Sequence, residues 1–111
     1  MTDIEIVAKY AEAWEKLDQS IIEPYLDESF SYSSFWVFET LDRERYIDYL
    51  SGKFKAIRAT NTAPIVSMLT TEGRSPSVVL KQGNKEPAAI VVKIKDGKLT
   101  EGYMLPLSFV Q

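Results

Sequence analysis

The sequence predicts an α+β domain in which helices pack against one face of a curved, mostly antiparallel sheet. Three observations carry this. Apolar residues recur at helical spacing near the N-terminus and again from Tyr46 to Ile57. After the second of these segments come four β-type runs joined by short turns, and the last two flank Asp96-Gly97, a strong short-range signal for a two-residue hairpin turn. Helices that precede a run of antiparallel strands imply segregated layers over one core.

The first helix begins at Thr2, where Thr2 and Glu5 have the spacing of a capping box. Ile6, Val7, Tyr10, Ala11, Trp14 and Leu17 then form one apolar stripe. Tyr10 and Trp14 lie one turn apart on it, either as core aromatics or as a cavity wall with a polar tip. Asp18 and Ser20 suit the N-cap of a short second helix through Ile21, Ile22, Tyr25 and Leu26, with Pro24 in its first turn. From Ser29 to Glu39 the serines and aromatics favour a strand. Phe30, Tyr32, Ser34 and Trp36 share one parity and Phe35 and Phe38 do not share a single one, so a bend or bulge near Ser33-Ser34 is needed to reconcile the halves.

The long helix spans Thr40 to Ala59, with Asp42 and Glu44 in its first turn and Tyr46, Ile47, Leu50, Phe54 and Ile57 on its apolar face. Gly52 inside it either permits close packing or costs about 1 kcal/mol. The charge run Asp42-Arg43-Glu44-Arg45 with Asp48 reads as a solvated face. Asn61 to Pro64 ends this helix. Strands follow over Ile65 to Thr71 and Val78 to Gln82, and a turn pairing Thr71 with Pro76 sets Leu69 opposite Val78 and Ser67 opposite Leu80. Ser67 is then a small hydroxyl on an apolar face, suited to a ligand contact or to a local backbone bond.

The Ala88 to Leu105 hairpin decides what a cavity would contain. A plain two-residue turn pairs Ile94 with Leu99, Val92 with Glu101, Ile90 with Tyr103 and Ala88 with Leu105 on one face. The other face carries Lys95 with Lys98, Lys93 with Thr100, Val91 with Gly102 and Ala89 with Met104. Glu101 thus becomes a carboxylate on the apolar side. There it serves as a general base or as the polar anchor of a pocket, unless it sits at the rim and pairs with Arg58 or a lysine. A longer turn would reverse its direction. Pro106 suits the end of pairing, and the chain continues to Val110 as a strand or an extended tail.

Composition narrows the chemistry. One domain, residues 1–111, is expected from a chain of this length that is 45% hydrophobic. Net charge of -3 provides no basic stripe, so nucleic acid is not an expected partner. No apolar run suits a membrane span and Met1 to Glu5 has no basic leader, so a cytoplasmic location is expected. Without cysteine or histidine there is no disulfide, thiolate nucleophile, Ser-His-Asp triad or histidine-bound zinc. No acidic cluster has metal-ligand spacing, and no cofactor is expected.

The order of elements resembles the nuclear transport factor 2-like superfamily, in particular its small SnoaL-like and ketosteroid-isomerase-like members. The residues that carry this are Trp14, Leu17 and Asp18 near the end of the first helix, Tyr25 to Phe30 leading into the first strand, the Tyr46 to Ile57 helix, and Asp96 to Leu99. The resemblance implies a cone: a strongly bent sheet wrapped around the long helix, with an apolar cavity at one end and often a dimer through the outer sheet face. It also sets Ser33 about where isomerase-like members carry a carboxylate base, and serine with no histidine to activate it cannot abstract a carbon-bound proton. Three functions follow as expectations. The first is a small-molecule binding domain lined by Tyr10, Trp14, Tyr32, Trp36, Ser67, Glu101 and Tyr103. The second is a homodimeric module with a filled cavity, and the third a cofactor-free isomerase or dehydratase with Glu101 as its catalytic base.

Overall fold

The computed structural model describes residues 1–70 and 72–110. Helix α1 covers Asp3–Lys16, and both halves of its capping box form: Thr2 Oγ1 accepts from the Glu5 amide at 3.2 Å, and Glu5 Oε1 accepts from the Thr2 amide at 2.8 Å. Its apolar stripe is buried from Ile6 to Trp14. Leu17 closes it in the left-handed region at φ 54°, and the Arg58 guanidinium donates to the Leu17 carbonyl. Two short 3-10 turns, Gln19–Ile21 and Glu23–Tyr25, replace the expected short helix. Asp18 caps the first by accepting from the Ser20 amide at 3.0 Å and the Ser20 hydroxyl at 2.6 Å.

The serine-aromatic segment is a hairpin rather than one strand. Strand β1, Leu26–Ser34, turns through Phe35-Trp36 into β2, Val37–Asp42, with a register shift between Tyr32 and Ser34. The irregularity expected near Ser33-Ser34 is therefore present, but the chain reverses just beyond it. Helix α2, Arg43–Thr60, starts three residues later than the sequence suggested, because Thr40 to Asp42 belong to β2 and Asp42 is the N-cap. Tyr46, Leu50, Phe54 and Ile57 are its buried face. Nothing lies within 4 Å of a Cβ placed on Gly52, so that glycine serves no close packing.

Strands β3, Ile65–Leu69, β4, Ser77–Lys81, β5, Ala88–Lys95, and β6, Lys98–Pro106, complete a six-stranded sheet in the order β2-β1-β6-β5-β4-β3. All pairs are antiparallel except β1 with β6. This joins the N-terminal hairpin to the C-terminal meander, and both helices pack on the inner face with Trp14 edge-on to Phe54 at 4.9 Å. The result is the α+β architecture expected, a curved open sheet around the long helix. Among the described residues no helix is long and apolar enough to cross a membrane.

Two registers differ from expectation, and each reverses a face. The Asp96-Gly97 turn forms with φ values of 51° and 76°, and Ile94 opposes Leu99 as expected. A bulge follows at once: Lys93 opposes Glu101, leaving Thr100 as the extra residue, with its hydroxyl 3.3 Å from the Lys93 carbonyl. Every later residue of β6 consequently changes sides, so Gly102 and Met104 oppose Val92 and Ile90, and Glu101 and Tyr103 oppose Lys93 and Val91. The bulge keeps Leu99 fully buried while sparing the fold a buried carboxylate, which is costly without a partner. Gly102 now makes room for the core: a Cβ there would lie 3.4 Å from Phe30 and 3.5 Å from Tyr32.

In the β3–β4 pair, Leu69 opposes Ser77 and Ser67 opposes Val79, one residue from the expected register. Val66 and Met68 consequently face the core opposite Leu80 and Val78. The expected partner Thr71 lies outside the described residues.

Candidate functional site

A cavity of about 520 Å3 opens between α2, the β1–β2 turn and the start of β5. Its wall is apolar at Trp36, Val37, Leu80, Ala88 and Met104. Polar groups converge on it from four places: Ser34 at the end of β1, Tyr49 and Lys53 one helical turn apart on α2, Gln82 after β4, and Lys85 and Glu86 in the β4–β5 loop. The Ser34 hydroxyl accepts from the Trp36 amide at 3.2 Å, which fixes the turn that presents the indole. Trp36 is half exposed, at 51%, so it can cover a ligand at little cost to the core.

Behind the cavity a stack of tyrosines runs into the core. Tyr32 lies face to face with Tyr46 at 4.4 Å and with Tyr49 at 5.9 Å, and the hydroxyls of Tyr46 and Tyr10 are hydrogen-bonded. Burial pushes the phenols of Tyr10, Tyr32 and Tyr46 well above the ordinary 10.0, and raises that of Tyr49 too. At neutral pH these groups remain O–H donors. Lys53 shifts the other way: partial burial, then the nearby Lys85 ammonium, lowers it from the ordinary 10.5.

A larger groove of about 700 Å3 lies among Leu26, Asp27, Glu28, Asp42, Arg43, Glu44 and Lys98. Its cations are already used by the fold. Arg43 donates to the carbonyls of Glu23 and Leu26 at 2.9 and 3.2 Å, and Lys98 donates to that of Pro24 at 2.7 Å. The apolar cavity with convergent donors is the better candidate for a site.

Of the residues expected to line a pocket, the structure brings only Trp36 to this cavity. Tyr10 and Trp14 are core residues, fully or almost fully buried, the one bonded to Tyr46 and the other packed on Phe54. Tyr32 stands one layer back, behind Tyr49. Ser67 and Tyr103 are on the outer face, a consequence of the two register shifts. Glu101 is there as well: its side chain is 52% exposed and its carboxylate pairs with Lys93 Nζ at 3.1 Å, not with Arg58. No cavity-facing base is available from it. Ser33 opposes Tyr103, and its neighbour Ser34 is the serine at the cavity.

Tyr49, Lys53, Gln82, Lys85, Glu86 and Met104 were missed. Two signals pointed to them. Tyr46, Tyr49 and Lys53 share one side of the long helix at i, i+3 and i+7. Gly102, a glycine inside a strand pattern, marks a bulge or close approach.

No family model matches the chain, and no curated protein does at a significant level. Solved structures do. A SnoaL-like protein from Burkholderia thailandensis superposes with a TM-score of 0.74 at 14% identity, covering 96% of this chain and 98% of that one. An NTF2-like protein from Cytophaga hutchinsonii gives 0.70 at 14% identity over 96% and 90% of the two chains. A protein of ketosteroid-isomerase-like fold from Catenulispora acidiphila, solved in complex with trimethylamine, gives 0.64 at 19% identity over 98% and 91%. At these identities the likeness is one of fold, and the fold of this chain is that of the nuclear transport factor 2-like proteins, of the SnoaL-like and ketosteroid-isomerase-like kind.

Proposed function

We propose that this protein binds a small apolar or aromatic molecule in the cavity beneath Trp36. The observation that carries this reading is the coincidence in one cavity of about 520 Å3 of an apolar wall with Tyr49, Gln82 and Ser34 as orienting polar groups. That combination is typical of ligand sites. Among the described residues the cavity offers only one carboxylate, Glu86, from a surface loop, so binding is favoured over proton abstraction. The test is a two-dimensional NMR titration of the labelled protein with a panel of small aromatic compounds. Saturable shifts are expected at Ser34, Trp36, Tyr49, Gln82 and Met104, abolished by Trp36→Ala and unchanged by Glu101→Gln. Shifts confined to the outer sheet face, or none with any compound, would sink the reading.

A second reading, a homodimer through the outer sheet face, has its own observation. Ile65, Leu69 and Tyr103 are exposed there beside Val79, Val91 and Leu105, which gives the sheet an apolar outer surface across β3 to β6. The two readings are compatible, since the cavity opens on the opposite side of the sheet.

A further inference from the structure

We propose that the cavity selects an amphipathic monocarboxylic acid, with its carboxylate held between Lys53 and Lys85 and its apolar body against Trp36, Leu80 and Met104. This inference rests on the cavity being a binding site and adds the chemical class of its ligand.

The charges of the lining differ from those of the chain. Overall the protein carries -3, yet among the described residues the cavity is lined by two lysines and a single glutamate, a net +1. Lys53 comes from α2 and Lys85 from the β4–β5 loop, and both residues also border a second hollow of about 350 Å3. Among the described residues neither lysine makes an ion pair or a side-chain hydrogen bond. By contrast Lys81, the adjacent cation, is tied up: its ammonium donates to the carbonyls of Gly83 and Lys85 at 2.9 and 2.7 Å. That bond, with the Lys85 amide donating to the Gln82 carbonyl at 3.0 Å, fixes the loop that presents Lys85.

Lys53 is partly buried and Lys85 exposed, and two neighbouring like charges repel, which an anion near both relieves. Charge-assisted hydrogen bonds from both ammoniums would reward a carboxylate more than a neutral carbonyl. The other ionisable groups at the cavity leave its net charge positive. Tyr49 remains a neutral donor, and the Glu86 carboxylate is on the loop, where its Oε1 accepts from the Ser108 hydroxyl at 3.3 Å. One net positive charge suits a monoanion, and the apolar wall excludes a small, fully hydrated one. A cationic ligand would instead meet two ammoniums here.

The experiment is isothermal titration of the full chain with 2-naphthoate and with 2-naphthamide, its uncharged analogue of the same shape. Naphthoate is expected to bind at least tenfold more tightly, about 1.4 kcal/mol. Lys53→Met and Lys85→Met should each remove most of that preference, and added salt should weaken naphthoate more than naphthamide. Lys85→Met lies in a loop, so it remains informative if the helix variant fails to fold. Equal affinities for the two probes, or a preference that survives both substitutions, would overturn the carboxylate inference and leave the cavity reading standing. Failure of both probes to bind, with the NMR panel also silent, would overturn the two together.

Discussion

Tyr10 and Tyr46 bury two hydroxyls completely, and each is the other's hydrogen-bond partner. Removing one hydroxyl leaves the other desolvated and unpaired, which costs about 1–3 kcal/mol, whereas replacing both by rings of the same shape can be nearly neutral. Tyr46→Phe alone is therefore expected to lower stability to urea by that amount, and Tyr10→Phe with Tyr46→Phe to recover most of it. A single variant as stable as the parent would show that the two hydroxyls do not depend on one another. Glu101 makes the opposite point. Its pair with Lys93 is exposed on the sheet surface, where such pairs are worth about 1 kcal/mol or less. Sequence parity had assigned it the more important position, and a single bulged residue, Thr100, removed it.

At the scale of elements, the tyrosine stack joins α1, β1 and α2 through Tyr10, Tyr32, Tyr46 and Tyr49. Their folded-state acidities are weakened by burial, so above the ordinary phenol value of 10.0 the native state holds protons that the unfolded chain has lost. The stabilising contribution is complete below pH 10 and is lost as the pH rises beyond it. We expect cooperative alkaline unfolding in which ionisation of Tyr10, Tyr32 and Tyr46, followed by NMR of the tyrosine rings, coincides with loss of helical circular dichroism. Ionisation of these rings in a protein that keeps its helices would contradict the packing. Two caps at this scale were legible from local chemistry, the Thr2–Glu5 box and Asp18, whereas Asp42, read as part of the first turn of α2, is its N-cap. The β1–β2 hairpin was not, because its turn, Phe35-Trp36, contains none of the glycine, asparagine or proline residues that usually announce a reversal.

For the whole molecule, the sheet has two apolar faces, and the helices cover only the inner one. If the outer face joins two copies, sedimentation velocity should find a dimer that Tyr103→Lys or Val91→Lys converts to a monomer without loss of helical content. A wild-type chain that sediments as a monomer at high concentration would end the dimer reading and leave the cavity untouched. Sheet order is also a property of this scale. The parallel pairing of β1 with β6 brings residues about seventy positions apart into register, such as Tyr32 with Gly102, and so lets Phe30 and Tyr32 lie over the glycine.

What the sequence by itself determined is what acts over a few residues: two amphipathic helices, the first with its capping box, the Asp96-Gly97 turn, the α+β class, and the exclusion of thiol and imidazole chemistry. Only the tertiary structure decided which residues meet at the cavity. Strand faces alternate with period two, so one bulge at Thr100 and one slipped residue in β3 were enough to send Glu101, Tyr103 and Ser67 outward and Met104 inward. Lys53, Lys85 and Trp36 come from three separate stretches of chain, and their meeting depends on sheet curvature and long-range pairing, which no local pattern encodes.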